Sequence, residues 1–307
     1  MNKENIENLE RKFIIILTTL TVYILLILFK NTYFNLFNLN INTLPQIEKN
    51  LSNITYQIFG ISLSIFFLIK HKNDTEENFK KYIKKASIGL LTIFIYSITS
   101  LLELGILLFT KIDPKNLTIL EKSIYLITCE SLIIIIIGLI NKEKLKKNLK
   151  DIKEKYEEYY TKYLKLYILA LIIMMISNIF INKLTQGIPG NEEAIRTTLN
   201  KAPLYMFFSS VIFAPFIEEM VFRQSLKNII TNKKTFVIAS GLIFGGLHVI
   251  GNINTIYDIL YIIPYATPGI AFAIMLEKTD NIFVPMGIHF LHNGLLITLQ
   301  MILIFIK

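Results

Sequence analysis

The sequence has few of the residues that build several common kinds of site. It contains no tryptophan and one cysteine, Cys129, among 307 residues. A single cysteine excludes an intrachain disulfide, and its position inside an apolar run predicts a small core side chain. No H-E-x-x-H zinc pattern is present. The basic residues are not interleaved with an aromatic platform, which excludes a nucleic-acid-binding surface.

What the sequence has instead is long apolar runs. The chain is 53% hydrophobic with a mean hydropathy of +0.51. Continuous runs of roughly 17–25 apolar residues match the thickness of a bilayer, and only helices or closed barrels satisfy the backbone there. We therefore predict an all-α polytopic transmembrane helical bundle of about eight to nine spans. The predicted spans are 13–29, 52–69, 86–109, 120–140, 164–181, 203–230, 235–250, 257–276 and 282–306.

The net charge of +9 is read as a topology signal and as attraction to anionic headgroups. A cytoplasmic N-terminus places 23 of the 32 lysine and arginine residues in the inner segments. Residues 13–29 are read as a retained anchor, since no small-residue cleavage site follows them. The Lys- and Glu-rich segment 142–162 predicts an amphipathic helix on the membrane surface. It divides the chain into an N-terminal membrane region, 1–163, and a C-terminal membrane-embedded bundle, 164–307.

Three polar motifs lie in the apolar C-terminal half. The first holds Glu218, Glu219 and Arg223. The second holds Phe244 and His248, with Gly245 and Gly246 between them. The third holds His289 and Asn293, with His292 beside them as a secondary, packing residue. Ionisable residues inside spans are costly and mark candidate functional sites.

Helical spacing separates the roles of the two glutamates. Glu219 and Arg223 are four residues apart and share a helix face, whereas Glu218 points about 100° away. Glu218 and His248 lie about equally far from the turn near Asn232, so an antiparallel hairpin places them at one depth. A pure ion pair that locks helices together is the alternative reading.

A buried glutamate and a histidine could together hold and deprotonate a water. A second histidine and an amide, His289 and Asn293, could donate to a developing oxyanion. The reaction class that fits is amide hydrolysis inside the membrane. Water bound to a zinc ion is the alternative, with Glu218, His248 and His289 as the zinc ligands. The sequence does not decide between metal-bound water and water held by the glutamate and histidine alone.

In these residues the sequence resembles the CPBP family of intramembrane proteases, also called the Abi or CAAX-protease family. The family's motifs are two adjacent glutamates with an arginine four positions after the second, Phe-x-x-x-His, and His-x-x-x-Asn or Asp. The resemblance covers roughly residues 203–306. It implies that Glu218 and His248 activate water and that His289 and Asn293 stabilise the oxyanion. Glu219, Arg223 and Phe244 are then supporting residues.

The resemblance also implies a peptide or membrane-protein substrate, and in bacterial members it implies bacteriocin self-immunity or peptide processing. Members have been described both as metalloproteases and as metal-independent glutamate proteases. The composition is typical of an AT-rich bacterial genome, so we expect a multi-pass protein of the cytoplasmic membrane. A non-catalytic immunity or scaffold protein is the main alternative. An ion-coupled transporter using Glu103 or Glu130 is a lesser one, since both are expected to be hydrogen-bonded between helices.

Overall fold

The computed structural model describes residues 76–110, 113, 116–250, 253 and 255–306. Within these ranges every regular element is a helix, which confirms the all-α class. The helices are α1 Glu76–Ser97, α2 Thr99–Thr110, α3 Ile119–Ile140, α4 Lys142–Thr185, α5 Gly190–Lys201, α6 Pro203–Ile229, α7 Lys233–Ile250, α8 Ile262–Thr279 and α9 Phe283–Ile306. A 3-10 segment, Ile256–Tyr261, leads directly into α8.

Five of the described helical segments are long and apolar enough to cross a bilayer. They are Ile119–Ile140, Lys142–Thr185, Pro203–Ile229, Ile256–Thr279 and Phe283–Ile304. Helix α7 has 18 residues and begins with two lysines, so its apolar part is shorter than the roughly 20 residues that span a membrane. The predicted spans at 13–29 and 52–69, and the cytoplasmic N-terminus, fall outside the described residues.

The predicted span at 86–109 consists of two helices, because α1 ends at Ser97 and α2 begins at Thr99. Ser97 Oγ donates to the Ile93 carbonyl at 2.9 Å, and Thr99 Oγ1 donates to the Tyr96 carbonyl at 2.8 Å. Hydroxyls that bond to the preceding turn compete with the backbone hydrogen bonds and bend helices. The count of nine spans therefore stays a prediction.

Segment 142–162 is helical, as the amphipathic pattern predicts. It lies in α4, whose 44 residues form two helical stretches that meet at a backbone kink at Lys155. The first half of α4 packs against the end of the bundle: Tyr160 Oη donates to the Phe283 carbonyl at 3.0 Å, and Asn148 is buried. One side of the amphipathic pattern thus packs on the α8–α9 turn, and its place on the membrane surface stays a prediction. The domain division at 163/164 lies inside this helix and stays a prediction.

The α8–α9 turn is held by charges from two other helices. Asp280 ends α8 in the left-handed conformation at φ 50°, which Asn and Asp adopt more readily than most residues. Its carboxylate lies 2.8 Å from Lys144 Nζ of α4 and 2.9 Å from Lys227 Nζ of α6. Burial by itself raises the pKa of Asp280, but the hydrogen bonds from the two lysines outweigh burial and lower that pKa below its ordinary value.

We expect Asp280→Asn to lower stability by about 1 kcal/mol or less, because the carboxylate is more than half exposed. Asn keeps the left-handed cap, so the substitution isolates the charge. Since the folded-state pKa is depressed, the carboxylate stabilises the fold above the unfolded pKa, and this contribution is lost as pH falls through the folded pKa. Thermal unfolding of both proteins in detergent between about pH 7 and pH 3 measures it. The wild-type advantage should be constant near neutrality and vanish in acid. An advantage that grows in acid would contradict the assignment.

Helices α7 and α8 approach closely because α7 carries glycines where they meet. A Cβ on Gly245 would lie 2.8 Å from both the Ala266 nitrogen and the Ile262 carbonyl oxygen. These atoms belong to the backbone of α8, so a side chain at Gly245 requires the helices to separate. Small residues permit this kind of close packing between membrane helices. The contact lies one turn before His248 and therefore sets where that histidine sits.

Gly245→Ala should cost about 1–3 kcal/mol in unfolding free energy, since overpacking moves the backbone. Gly138→Ala is the matched control, because a Cβ there meets nothing within 4 Å. That variant should be neutral or gain up to about 1 kcal/mol from helix propensity. Thermal unfolding in detergent compares the two variants. Equal effects would show that the α7–α8 contact does not restrict residue 245.

Candidate active site

Helix α6 is interrupted by two π-helical segments, Phe208–Phe213 and Glu219–Ser225. Such segments are rare and often occur at functional sites. Proline lacks the backbone N–H, so Pro215 cannot donate to the Ser210 carbonyl five residues before it. Asn293 Nδ2 of α9 donates to that carbonyl instead, at 2.7 Å. The irregular backbone of α6 thus ties it to α9 beside the glutamate pair.

Glu219 and Arg223 form the predicted ion pair. Glu219 Oε1 lies 3.2 Å from Arg223 Nη1, and both side chains are 0% exposed. The guanidinium lies 4.1 Å from the ring centroid of Phe244 and 5.4 Å from that of Phe272. Ring faces attract cations, and Arg is the cation most often found there. The predicted supporting role of Phe244 would act through this contact with Arg223.

Glu218 faces away from this pair, towards two histidines. Its Oε1 lies 3.9 Å from His248 Nε2, and its Oε2 lies 3.7 Å from His289 Nε2. Both separations exceed a direct hydrogen bond. The structure therefore brings together Glu218 and His248, which the hairpin count placed at one depth, and adds the histidine of the third motif.

His289 also contacts the other glutamate, which sequence reasoning missed. Its Nδ1 lies 2.9 Å from Glu219 Oε1, the oxygen that also faces Arg223. Because arginine carries only donors, we assign this oxygen as an acceptor and His289 Nδ1–H as the donor. The ring stacks on Phe272 with centroids 5.0 Å apart. His289 thus lies between the two carboxylates, and helical spacing within α6 contains no signal for that contact.

The backbone and α8 fix the orientation of His248. Its Nδ1 lies 2.9 Å from the Phe244 carbonyl, which can only accept, so Nδ1 carries the proton. When the ring is neutral, its Nε2 therefore carries the lone pair that faces Glu218. Tyr265 stacks on the ring with centroids 5.0 Å apart. Tyr265 and Phe272 were not predicted, because aromatic residues in an apolar helix carry no distinguishing pattern.

The remaining predicted residues of the third motif lie on different faces of α9. Asn293 shares a face with His289, as the four-residue spacing predicts, and bonds α6 through Ser210. His292 Nδ1 lies 2.9 Å from Tyr167 Oη on α4. Its contact with α4 fits the packing role expected for it.

A cavity of about 330 Å³ opens beside these groups and is lined by Glu218, His248, His289 and Asn293 among others. Among the described residues, no three His, Cys, Asp or Glu side chains are arranged to hold a metal ion. His289 has one ring nitrogen committed to Glu219, and each Glu218 oxygen faces a different imidazole. The His289 bond to Glu219 uses Nδ1 and leaves Nε2 facing Glu218, and a second ring nitrogen bonded to a carboxylate is usual for a metal-ligating histidine. The zinc set Glu218, His248 and His289 therefore stays a prediction.

The two other glutamates in the predicted spans, Glu103 and Glu130, lie outside this cavity lining. Glu130 Oε1 accepts hydrogen bonds from Ser209 Oγ at 2.7 Å and Tyr205 Oη at 3.3 Å. These bonds join α3 to α6, as expected for a carboxyl bonded between helices. The backbone carbonyl of Glu103 accepts a hydrogen bond from Tyr125 Oη at 2.7 Å. The expected hydrogen bond of the Glu103 carboxyl between helices stays a prediction.

The helical bundle gathers two carboxylates, two imidazoles and a guanidinium at one point, and Glu219, Arg223 and His289 among them are buried. These features define a membrane protein with an internal polar site. Residues 200–295, which contain all three motifs, match the family described as type II CAAX prenyl endopeptidase Rce1-like. This match supports the resemblance of the three motifs to the CPBP, or CAAX-protease, family.

Two relatives are similar over longer stretches. The membrane-embedded CAAX protease MroQ of Staphylococcus aureus (strain USA300) is 29% identical over 232 residues, covering 70% of this chain and 89% of the relative. YdiL of Bacillus subtilis (strain 168), provisionally named a membrane peptidase, is 27% identical over 147 residues, or 42% of this chain. The match spans 57% of the Bacillus protein's length. A search of the solved structures found no match.

Proposed function

We propose that the chain is an intramembrane endopeptidase that hydrolyses a peptide bond with water activated by Glu218 and His248. The observation that carries the proposal is the gap of 3.9 Å between His248 Nε2 and Glu218 Oε1. In the neutral form of His248 with its proton on Nδ1, both of these atoms are acceptors. A water about 2.8 Å from each would donate one hydrogen to each acceptor. Its oxygen would then face the cavity with a free lone pair.

In the first step, the water oxygen attacks the carbonyl carbon while Glu218 takes a water proton. The carbonyl electron pair moves to oxygen and forms an oxyanion. Asn293 Nδ2 has two N–H groups, and its bond to Ser210 uses one of them. The other can donate to the oxyanion, as can His289 Nε2 when the ring is doubly protonated. In the second step the C–N bond breaks, and the proton on Glu218 passes to the leaving amine.

The family and the names of both relatives support a peptide or membrane-protein substrate reached from the bilayer. They also support a location in the bacterial cytoplasmic membrane.

The test uses purified wild-type protein in detergent with a library of apolar peptides, read by mass spectrometry. Product pairs should add up to the substrate plus one water, and added hydroxylamine should give no hydroxamate, because no acyl-enzyme forms. Hydroxamate would overturn direct attack by water. Cleavage that survives a chelator supports Glu218 and His248 as sufficient, whereas loss restored by zinc would assign water activation to a metal. No cleavage above the detergent control would overturn the enzyme.

One observation favours a non-catalytic scaffold or immunity role as the second candidate. Arg223, Glu219 and His289 form a buried network that joins α6 to α9 and would lock helices without any chemistry. Under that reading, the biological phenotype of a Glu218→Gln strain stays intact. Loss of the phenotype with an unchanged amount of protein in the membrane would instead support the protease.

A further inference from the structure

The cavity continues from Glu218 to helix α5, on the side of the bundle away from the Asp280 turn. Asn191 and Glu192 of α5 line that end, together with Gln300 of α9 and Asn178 of α4. Apart from Glu218, Glu192 is the only carboxylate among the described residues that line the cavity. The proposed chemistry uses none of these four side chains. We call them the α5 end of the cavity.

Acceptors without donors gather at the α5 end. Gln300 Nε2 donates to Glu192 Oε1 at 2.8 Å, and this bond fixes the orientation of the Gln300 amide. The Gln300 Oε1 atom is buried and has no hydrogen-bond partner in the described part of the chain. Asn178 Oδ1 is also buried and also has no hydrogen-bond partner among the described residues. A buried acceptor without a donor is costly, so each such group in a native protein requires an explanation.

Arg196 forms an ion pair with Glu192 but does not occupy the cavity. Arg196 Nε lies 2.9 Å from Glu192 Oε1, but the Arg196 side chain is 55% exposed, whereas that of Glu192 is 27% exposed. Arg196 does not line the cavity. An ion pair with so much solvent contact is weak. A cation brought into the cavity would meet Glu192 from its more buried side.

We propose that the α5 end of the cavity binds a cationic, donor-bearing group of the peptide, with Glu192 as its counter-charge. The group is the side chain of a lysine or arginine, or the N-terminal ammonium of the peptide. All three carry several N–H donors. The Glu192 carboxylate and the side-chain oxygens of Gln300 and Asn178 would accept hydrogen bonds from them. This inference rests on the proposed function, since it names a substrate feature of the same site.

The experiment measures binding separately from cleavage. The protein is the full chain carrying Glu218→Gln, purified in detergent, in which Glu192 is the remaining carboxylate among the described cavity-lining residues. The probes are fluorescent apolar peptides, each with one lysine moved along the sequence and each matched to a norleucine version. Every peptide is made with a free and with an acetylated N-terminus. Fluorescence anisotropy gives the dissociation constants.

At one lysine position, or for the free N-terminus, the cationic peptide should bind about tenfold more tightly than its neutral match, or about 1.4 kcal/mol. Adding Glu192→Gln should reduce this preference to about twofold or less. Glu193→Gln is the control, because Glu193 is exposed, lies next in sequence and does not line the cavity. That control should keep the preference.

The outcomes separate the two proposals. No cationic preference, or a preference that survives Glu192→Gln, overturns the subsite. So does a preference that Glu193→Gln removes equally, since it would then reflect the general charge of α5. The lysine and ammonium probes show which group is bound. If the wild-type protein cleaves no peptide but still shows a cationic preference that depends on Glu192, the subsite is supported and the endopeptidase is overturned.

Discussion

Glu218→Gln should lower peptide-bond cleavage by about 10²–10⁴-fold, the usual contribution of a general base. Gln has the same shape as Glu but cannot take the water proton. It also replaces one of the two carboxylate oxygens, which face His248 and His289, by an amide donor. Because Glu218 is not part of the Arg223 ion pair, the unfolding temperature should stay within a few degrees.

The matched control for that variant is Glu130→Gln. Glu130 is also a part-buried glutamate within a membrane span, but it bonds Ser209 and does not line the cavity. Gln keeps the acceptor for that bond, so cleavage should stay within about twofold of wild type. The measurement is kcat/KM for one peptide with all three proteins, alongside thermal unfolding. A Glu218→Gln protein that retains the wild-type rate would remove Glu218 from the mechanism.

Arg223→Met should lower the free energy of unfolding by about 3–5 kcal/mol, the cost of removing one partner of a buried ion pair. The substitution leaves the Glu219 carboxylate at 0% exposure without its cation. It also removes the guanidinium from the faces of Phe244 and Phe272. Lys233→Met is the control: its ion pair with Glu277 involves a lysine side chain that is 79% exposed, so we expect about 0.5 kcal/mol or less.

A second substitution tests the cause of that loss. Adding Glu219→Gln to Arg223→Met removes the unpaired charge but keeps an oxygen that can accept from His289 Nδ1. The double variant should regain about 1–3 kcal/mol over Arg223→Met alone, as measured by denaturant or thermal unfolding in detergent. Additive destabilisation by the two changes would show that the charge pair is not what stabilises this core.

Local spacing was enough to predict part of the site. The four-residue rule paired Glu219 with Arg223 and placed His289 and Asn293 on one face, because such neighbours meet on any helix. The hairpin count brought Glu218 to the depth of His248, because residues equally far from the turn of an antiparallel hairpin lie at about one level. The bond between His289 and Glu219 was not predictable in this way, since it depends on how α9 is rotated against α6.

The surface helix expected at 142–162 shows a different limit. A face of alternating charged and apolar residues has the same pattern whether the apolar face meets lipid or protein. Only the contacts of Tyr160 and Asn148 with the α8–α9 turn show that it meets protein. The break of the span at 86–109 depends on hydroxyls that bond to the backbone, and a hydropathy pattern does not record them.

Composition and spacing within one helix are enough to give the helical membrane class, the three motifs and the pairing of Glu219 with Arg223. The other features of the site depend on tertiary packing. It placed His289 between the two glutamates, committed one Asn293 N–H to the carbonyl that Pro215 leaves unbonded, and opened the cavity from Glu218 to Glu192. These features depend on how separate helices rotate and approach one another. The α7 glycines and the π segments of α6 affect that arrangement only when the helices pack together.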